Sequence, residues 1–237
     1  LEANRHLLGP NEDFSITQVV TRGVLWPPEK VGKPNVAIYC DFIDFTEFAS
    51  SYITGAKVVM CPTAAIKGGA GIGSGGMFPE MLDQGVTVGL GTDAGNNSNL
   101  VETMRSMYLA AVLFKDGRRD VNAIPAETAL EMGTINGATA LGLSDDLGSI
   151  EVGKKADLVL FDTRRPEWRT IFNPVNNLVY NADGRSVHTV IVDGRVVVED
   201  HLPLFVDEGQ LIQKVQELGE NLLARTGISY PTRWPMM

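Results

Sequence analysis

Between residues 36 and 115 short apolar runs alternate with helix-length amphipathic segments, and few folds accommodate that alternation. Strands that repeatedly give way to helices specify a parallel sheet with helical crossovers, as an open α/β sheet or a barrel. Residues 36–40 (VAIYC) read as a strand and 44–51 as a short helix capped by Asp44. The next strand is 57–61 (KVVMC), closed by Pro62; a helix over 78–84 stops at Gly85, and strand 86–90 (VTVGL) follows. From Asn99 onward Leu100, Met104, Met107, Tyr108, Ala111 and Val112 recur at helical spacing, which assigns this methionine-rich stripe to the core. A further helix starts at Pro125, a favoured first-turn residue, and stops near Gly142.

After residue 145 the rhythm becomes strand-turn-strand. Residues 148–152 (GSIEV) and 156–161 (ADLVLF) read as a hairpin about 153–155. Residues 187–192 (VHTVIV) and 195–199 (RVVVE) form a stronger one, because Asp193-Gly194 suits a two-residue turn with positive φ. Leu211, Val215, Leu218 and Leu222 give the tail an amphipathic helix. The predicted organisation is an α/β part over 1–145, a β unit over 146–206 and a helical tail over 207–237.

A chain of 237 residues, 44% hydrophobic, can bury a full core. Its net charge of −9 and scattered Lys and Arg residues disfavour nucleic acid and anionic membranes as partners. No run approaches the ~18 apolar residues of a spanning helix, and the first residues do not read as a charged-then-apolar leader, so a cytoplasmic location is expected. Cys40 and Cys61 sit in strand-like runs far from any CxxC spacing and read as reduced core thiols. The chain opens on Leu1 rather than Met.

The chemical candidates are few. Gly71-Ile72-Gly73-Ser74-Gly75-Gly76 fits G-x-G-x-x-G, with Asp93 ending the strand that follows. A phosphate-binding turn must leave its strand at once, however, and here residues 63–70 intervene, so dinucleotide binding is disfavoured. A Ser-His-Asp site is limited by supply: the histidines are His6, His188 and His201, and no G-x-S-x-G elbow exists. No two of them have the spacing of zinc ligands. One feature stands out. Residues 89–99 (GLGTDAGNNSN) carry a buried strand straight into the carboxylate of Asp93 and then into small polar residues, as a site at a strand's carboxyl end requires.

That strand, the preceding GAKVVMCPTA, the helix ETALEMGTINGATALGL, and the β segments GSIEVGKKADLVLFD and VHTVIVDGRVVVED together resemble the amidohydrolase superfamily, in its cytosine deaminase and chlorohydrolase branch. The resemblance covers the chain from about residue 36 onward and keeps the family's order. It implies the carboxyl-terminal half of a metal-dependent (β/α)8 barrel over 1–145, part of a small β-sandwich, and a terminal helix that packs back on the barrel. It further implies that Asp93 binds a divalent metal, zinc foremost with iron, cobalt or manganese as alternatives, and takes the proton of the attacking water. Glu2 would be the proton-shuttling Glu, and Tyr39, Asn96 and Asn97 would face a small nitrogen-heterocyclic or amide-like substrate with a C–N, C–Cl or C–S bond to be cleaved.

The departures matter as much. A whole barrel needs about 250 residues, and the family's opening His-x-His has no counterpart in this sequence. The strand that usually ends in a substrate-facing His has Tyr39-Cys40 instead, and residues 60–64 (MCPTA) replace a more polar run. A half barrel also leaves a strand edge open. The expectation is a hydrolase completed by a polypeptide that supplies the amino-terminal half and its His-x-His ligands. The alternative is a non-catalytic binding or regulatory subunit, which Tyr39 and Met60 favour.

Overall fold

The computed structural model describes residues 37–40, 57–229 and 234. They form two compact units: one extends to Lys155 and resumes over Asp162–Ser186, and the other takes Ala156–Phe161 and the described residues from Val187 on. This division differs from the expected one. Residues 146–155 and 162–186 belong with the α/β part, and the helical tail groups with the β unit.

The first unit is built on three parallel strands, β1 (Ala37–Cys40), β2 (Lys57–Met60) and β3 (Val88–Leu90), in that order. Cys40 lies opposite Met60, and Met60 opposite Leu90. Strands that run the same way place their carboxyl ends along one edge, so the chain leaves β2 at Cys61 and β3 at Gly91 on the same side of the sheet. Val58, Met60 and Val88 are fully buried. Met60 is therefore a core residue.

The helices described in this unit include α1 (Pro62–Lys67), α2 (Ile72–Gly75), α3 (Phe78–Asp83), α4 (Gly95–Ser98), α5 (Thr103–Arg118), α6 (Ala126–Gly133) and α7 (Ile135–Ala140). Of the expected stripe, Met104, Met107 and Ala111 are buried on α5, Val112 is half-buried, and Leu100 and Tyr108 lie at its rim; Ala110 and Phe114 are buried beside it. The Phe114 ring meets that of Phe78 edge-on, with centroids 5.9 Å apart. Full burial of each ring contributes about 2–3 kcal/mol.

The helix expected as one piece from Pro125 is broken at Thr134, whose φ of −129° and ψ of −95° leave the helical region. Thr134 Oγ1 donates to the Leu130 carbonyl at 2.7 Å, satisfying a group at the end of α6. The break brings α7 onto β3. Asn136 Nδ2 donates to the Val88 carbonyl at 3.1 Å, and a Cβ on Gly89 would sit 3.1 Å from Gly137 Cα, so two glycines allow backbone-to-backbone contact.

The second unit is a four-stranded antiparallel sheet in chain order, β4 (Leu158–Phe161), β5 (Val187–Val192), β6 (Arg195–Glu199) and β7 (Leu202–Pro203), with helix α8 (Glu208–Thr226). Asp193 and Gly194 turn β5 into β6 with φ of +50° and +77°, as that dipeptide predicts. The hairpin expected at 148–161 does not form. Residues 148–152 are irregular with Ile150 and Val152 exposed, while β4 pairs with β5, because strand propensity without a partner does not make a strand. On α8, capped by the Asp207 side chain, no residue is buried. Among the described residues no helix is long and apolar enough to cross a membrane.

Candidate active site

The carboxyl end of β3 is held from three sides before it reaches the carboxylate. A Cβ on Gly91 would lie 2.6 Å from Cys61 Sγ and 3.1 Å from Val59 Cγ1, so the chain leaves the strand directly over β2 only because residue 91 has no side chain. Ser106, fully buried on α5, donates its hydroxyl to the Gly91 carbonyl at 3.2 Å. Asn136 holds the opposite face at Val88. Asp93 then turns in the left-handed region with φ of +63°, which Asp tolerates better than most residues.

That turn aims a half-buried carboxylate whose two oxygens are both engaged. Oδ1 accepts from the Ala94 amide at 2.6 Å, and Oδ2 accepts from Asn97 Nδ2. Asn97 sits on α4, the single turn that follows, where Ser98 Oγ contacts the Ala94 and Leu100 carbonyls and closes the loop. A carboxylate offers about four lone-pair sites, so two hydrogen bonds orient it without precluding a metal or a proton. The structure thus joins Asp93 and Asn97, whereas Asn96 is exposed on the same turn. Tyr39 lies at the penultimate position of β1, opposite Val59, near the carboxyl edge of the same sheet. Glu2 and His6 lie outside the described residues.

Asp93 offers the hard oxygen donor that a divalent metal accepts. Among the described residues no group of three or more His, Cys, Asp or Glu side chains could hold such an ion. The Asp93 carboxylate has the donor chemistry of one such ligand. His188 and His201 are engaged within the β unit: His188 Nε2 lies 2.9 Å from Asp200 Oδ1, the two rings meet edge-on, and His201 Nδ1 lies 2.7 Å from the Val187 carbonyl. Cys61 is fully buried, in the core as its strand-like run implies.

The glycine-rich run has a structural occupation. Arg118, at the end of α5, donates to the carbonyls of Gly73 and Ser74 at 3.0 Å each, to that of Gly76, and to both oxygens of Glu80. Its guanidinium also lies 5.8 Å from the Phe114 ring centre. A Cβ on Gly117 would fall 1.7 Å from the Gly73 carbonyl oxygen, so glycine permits the approach. The run therefore presents carbonyls to a cation, where a pyrophosphate would need N–H groups. Burial pushes the Glu80 carboxyl up, but the Arg118 hydrogen bond, a backbone bond and the guanidinium charge outweigh it and hold Glu80 below its usual range. Neither Arg118 nor the Asn97-to-Asp93 bond stands out from sequence. Both are long-range or turn-dependent contacts, and only the short 93–97 spacing hints at the second.

The chain is similar to known proteins over most of its length. The profile of the amidohydrolase family matches residues 33–197. A 5-methylthioadenosine/S-adenosylhomocysteine deaminase of Acetivibrio thermocellus is 34% identical over 190 residues, which are 80% of this chain and 43% of that protein. An S-triazine hydrolase of Gordonia rubripertincta is 32% identical over 203 residues, 84% of this chain and 42% of that protein. Among solved structures, an adenosine deaminase from Xanthomonas campestris with bound zinc superposes with a TM-score of 0.74 at 26% identity, covering 83% of this chain and 45% of that one. A zinc complex of atrazine chlorohydrolase from Arthrobacter aurescens superposes with a TM-score of 0.68 at 22% identity, covering 77% and 40%, and shows the shared fold. The chain spans less than half the length of each of these relatives.

Proposed function

The chain belongs to the amidohydrolase family, and from that premise we propose that it forms the carboxyl-terminal half of a metal-dependent (β/α)8-barrel hydrolase together with part of its β-sandwich. The reaction is hydrolytic replacement of an amino group, or of chloride, on a ring carbon of a small nitrogen heterocycle. A substituted adenosine is the first substrate class, supported by the identity to adenosine-type deaminases, and a triazine is the second. The observation that carries the reading is Asp93: a carboxylate at the carboxyl edge of a parallel sheet, turned by a positive φ and oriented through both oxygens.

Asp93 would hold a divalent ion, zinc being the metal bound in two of the neighbouring structures, and such an ion would serve as a Lewis acid that acidifies water. Asp93 provides one ligand and accepts a proton in the hydrolytic step, which it can then return to the departing amine. Ala94 N–H and the Asn97 amide keep that carboxylate from rotating, so its free energy is not spent on reorganisation. Tyr39 donates from its hydroxyl toward the substrate ring, Asn96 contacts the substrate, and Glu2 shuttles protons between water and ring. The His-x-His ligands come from the amino-terminal half of the barrel, on a separate or a continuous polypeptide.

Reconstitution tests this. The chain is combined with an amino-terminal half carrying His-x-His, loaded with zinc, and assayed for ammonia release from adenosine and its 5′-substituted forms and chloride release from a chlorinated triazine. Turnover is expected, with Asp93→Ala lowering it by about a thousand-fold or more. A properly assembled barrel that neither holds zinc nor turns over any of these compounds would establish the binding or regulatory subunit instead.

A further inference from the structure

The geometry points to Lys67 as a positioning residue for the Asp93 carboxylate, acting through the α4 turn. This rests on the hydrolase reading for its purpose, though not for its geometry. Lys67 ends α1, the helix that leaves β2, and crosses to the turn that leaves β3. Its Nζ donates both to the Asn97 main-chain carbonyl and to Asn99 Oδ1. The Asn97 carbonyl belongs to the last turn of α4, where carbonyls lack intrahelical partners and a lysine can take them.

The second contact fixes the first. Asn99 caps α4 in the left-handed region at φ of +59°, and its Nδ2 donates to the Gly95 carbonyl at 3.1 Å. With Nδ2 so engaged, Oδ1 is turned toward Lys67, and the ammonium and the carbonyl of Gly95 together set one orientation of the amide. The turn is thereby pinned at its far end while Asn97 Nδ2 reaches back to Asp93 Oδ2. A carboxylate that must meet a metal at a fixed angle gains from such outer contacts, which commonly carry ten- to hundred-fold of metal affinity (roughly). None of this is available from α4 alone, since a one-turn helix is marginal without tertiary support.

Two measurements on Lys67→Met, which keeps the apolar stem, and on Lys67→Arg decide the matter. In the full chain by itself, amide hydrogen exchange at Ala94, Asn97 and Ser98 should rise roughly five-fold in Lys67→Met, the change one net hydrogen bond supports. Exchange in β2 and α5 should stay as in the native chain, Lys67→Arg should restore most of the protection, and Asn99→Ala should reproduce the loss. In the zinc-loaded reconstituted barrel, Lys67→Met should weaken zinc binding about ten-fold, with Lys67→Arg again recovering. Unchanged exchange at the turn in a folded Lys67→Met chain, or an arginine no better than methionine, overturns the assignment. If the native barrel takes no zinc, the hydrolase reading fails, while the exchange measurement still decides whether Lys67 holds the turn.

Discussion

Asp93 and Asn97 show how four residues of spacing become a functional geometry. The positive φ at Asp93 reverses the chain so that the amide of the next residue and a side chain one turn on both fall on the carboxylate. The ion pair of Arg118 with Glu80 has a purely structural task. Arg118 closes the carbonyls of the glycine-rich run and holds Glu80 ionised. Because the folded state lowers the Glu80 pKa below its unfolded value, the ionised pair stabilises the fold above the ordinary carboxylate range and loses that contribution as pH falls through the depressed value. Glu80→Gln should therefore shift the urea midpoint downward at neutral pH, and the difference from the native chain should shrink as the pH falls below the ordinary carboxylate range. The effect is modest, since Glu80 is about a third exposed and its charge is screened. A difference that grows on acidification would contradict the assignment.

At the scale of elements, glycines separate contacts that the fold cannot lose from positions it can improve. Gly117→Ala would drive a methyl into the Gly73 carbonyl and should cost about 3 kcal/mol by forcing α5 away from the glycine-rich run. Gly219, in the middle of α8 with nothing near its would-be Cβ, is the reverse case, and Gly219→Ala should stabilise by about 1 kcal/mol. Denaturation curves on the two variants should move in opposite directions. The same elements show what could be read in advance. Strands β2 and β3, α3, the α5 stripe and the Asp193-Gly194 hairpin all follow from local periodicity and turn chemistry. Residues 148–152 do not, because a strand is a property of two chains and not of one segment. The break at Thr134 escaped the pattern for a similar reason: its purpose is to put Asn136 and Gly137 against β3, a contact 48 residues away in the chain. The spacing already spoke against the G-x-G-x-x-G match, but its structural explanation, Arg118, lies more than 40 residues downstream and out of reach of local pattern.

For the whole molecule, the sequence made the family legible and singled out one carboxylate, and the structure supplied the contacts that orient it. The limit is set by histidine supply. His188 and His201 are committed to the β unit, and Asp93 alone cannot hold a metal among the described residues. The match to the Acetivibrio thermocellus deaminase takes in 43% of that protein. On the proposed reading, Asp93 becomes one ligand of a shared metal site once the amino-terminal half of the barrel is present. The most direct measurement is the zinc content of the purified, dialysed assembly of this chain with a polypeptide carrying the His-x-His half, compared between the native chain and Asp93→Ala. Stoichiometric zinc in the native assembly, lost in Asp93→Ala while the two halves remain associated, is the predicted result; equal zinc in both assemblies, or none in the native one, would contradict it.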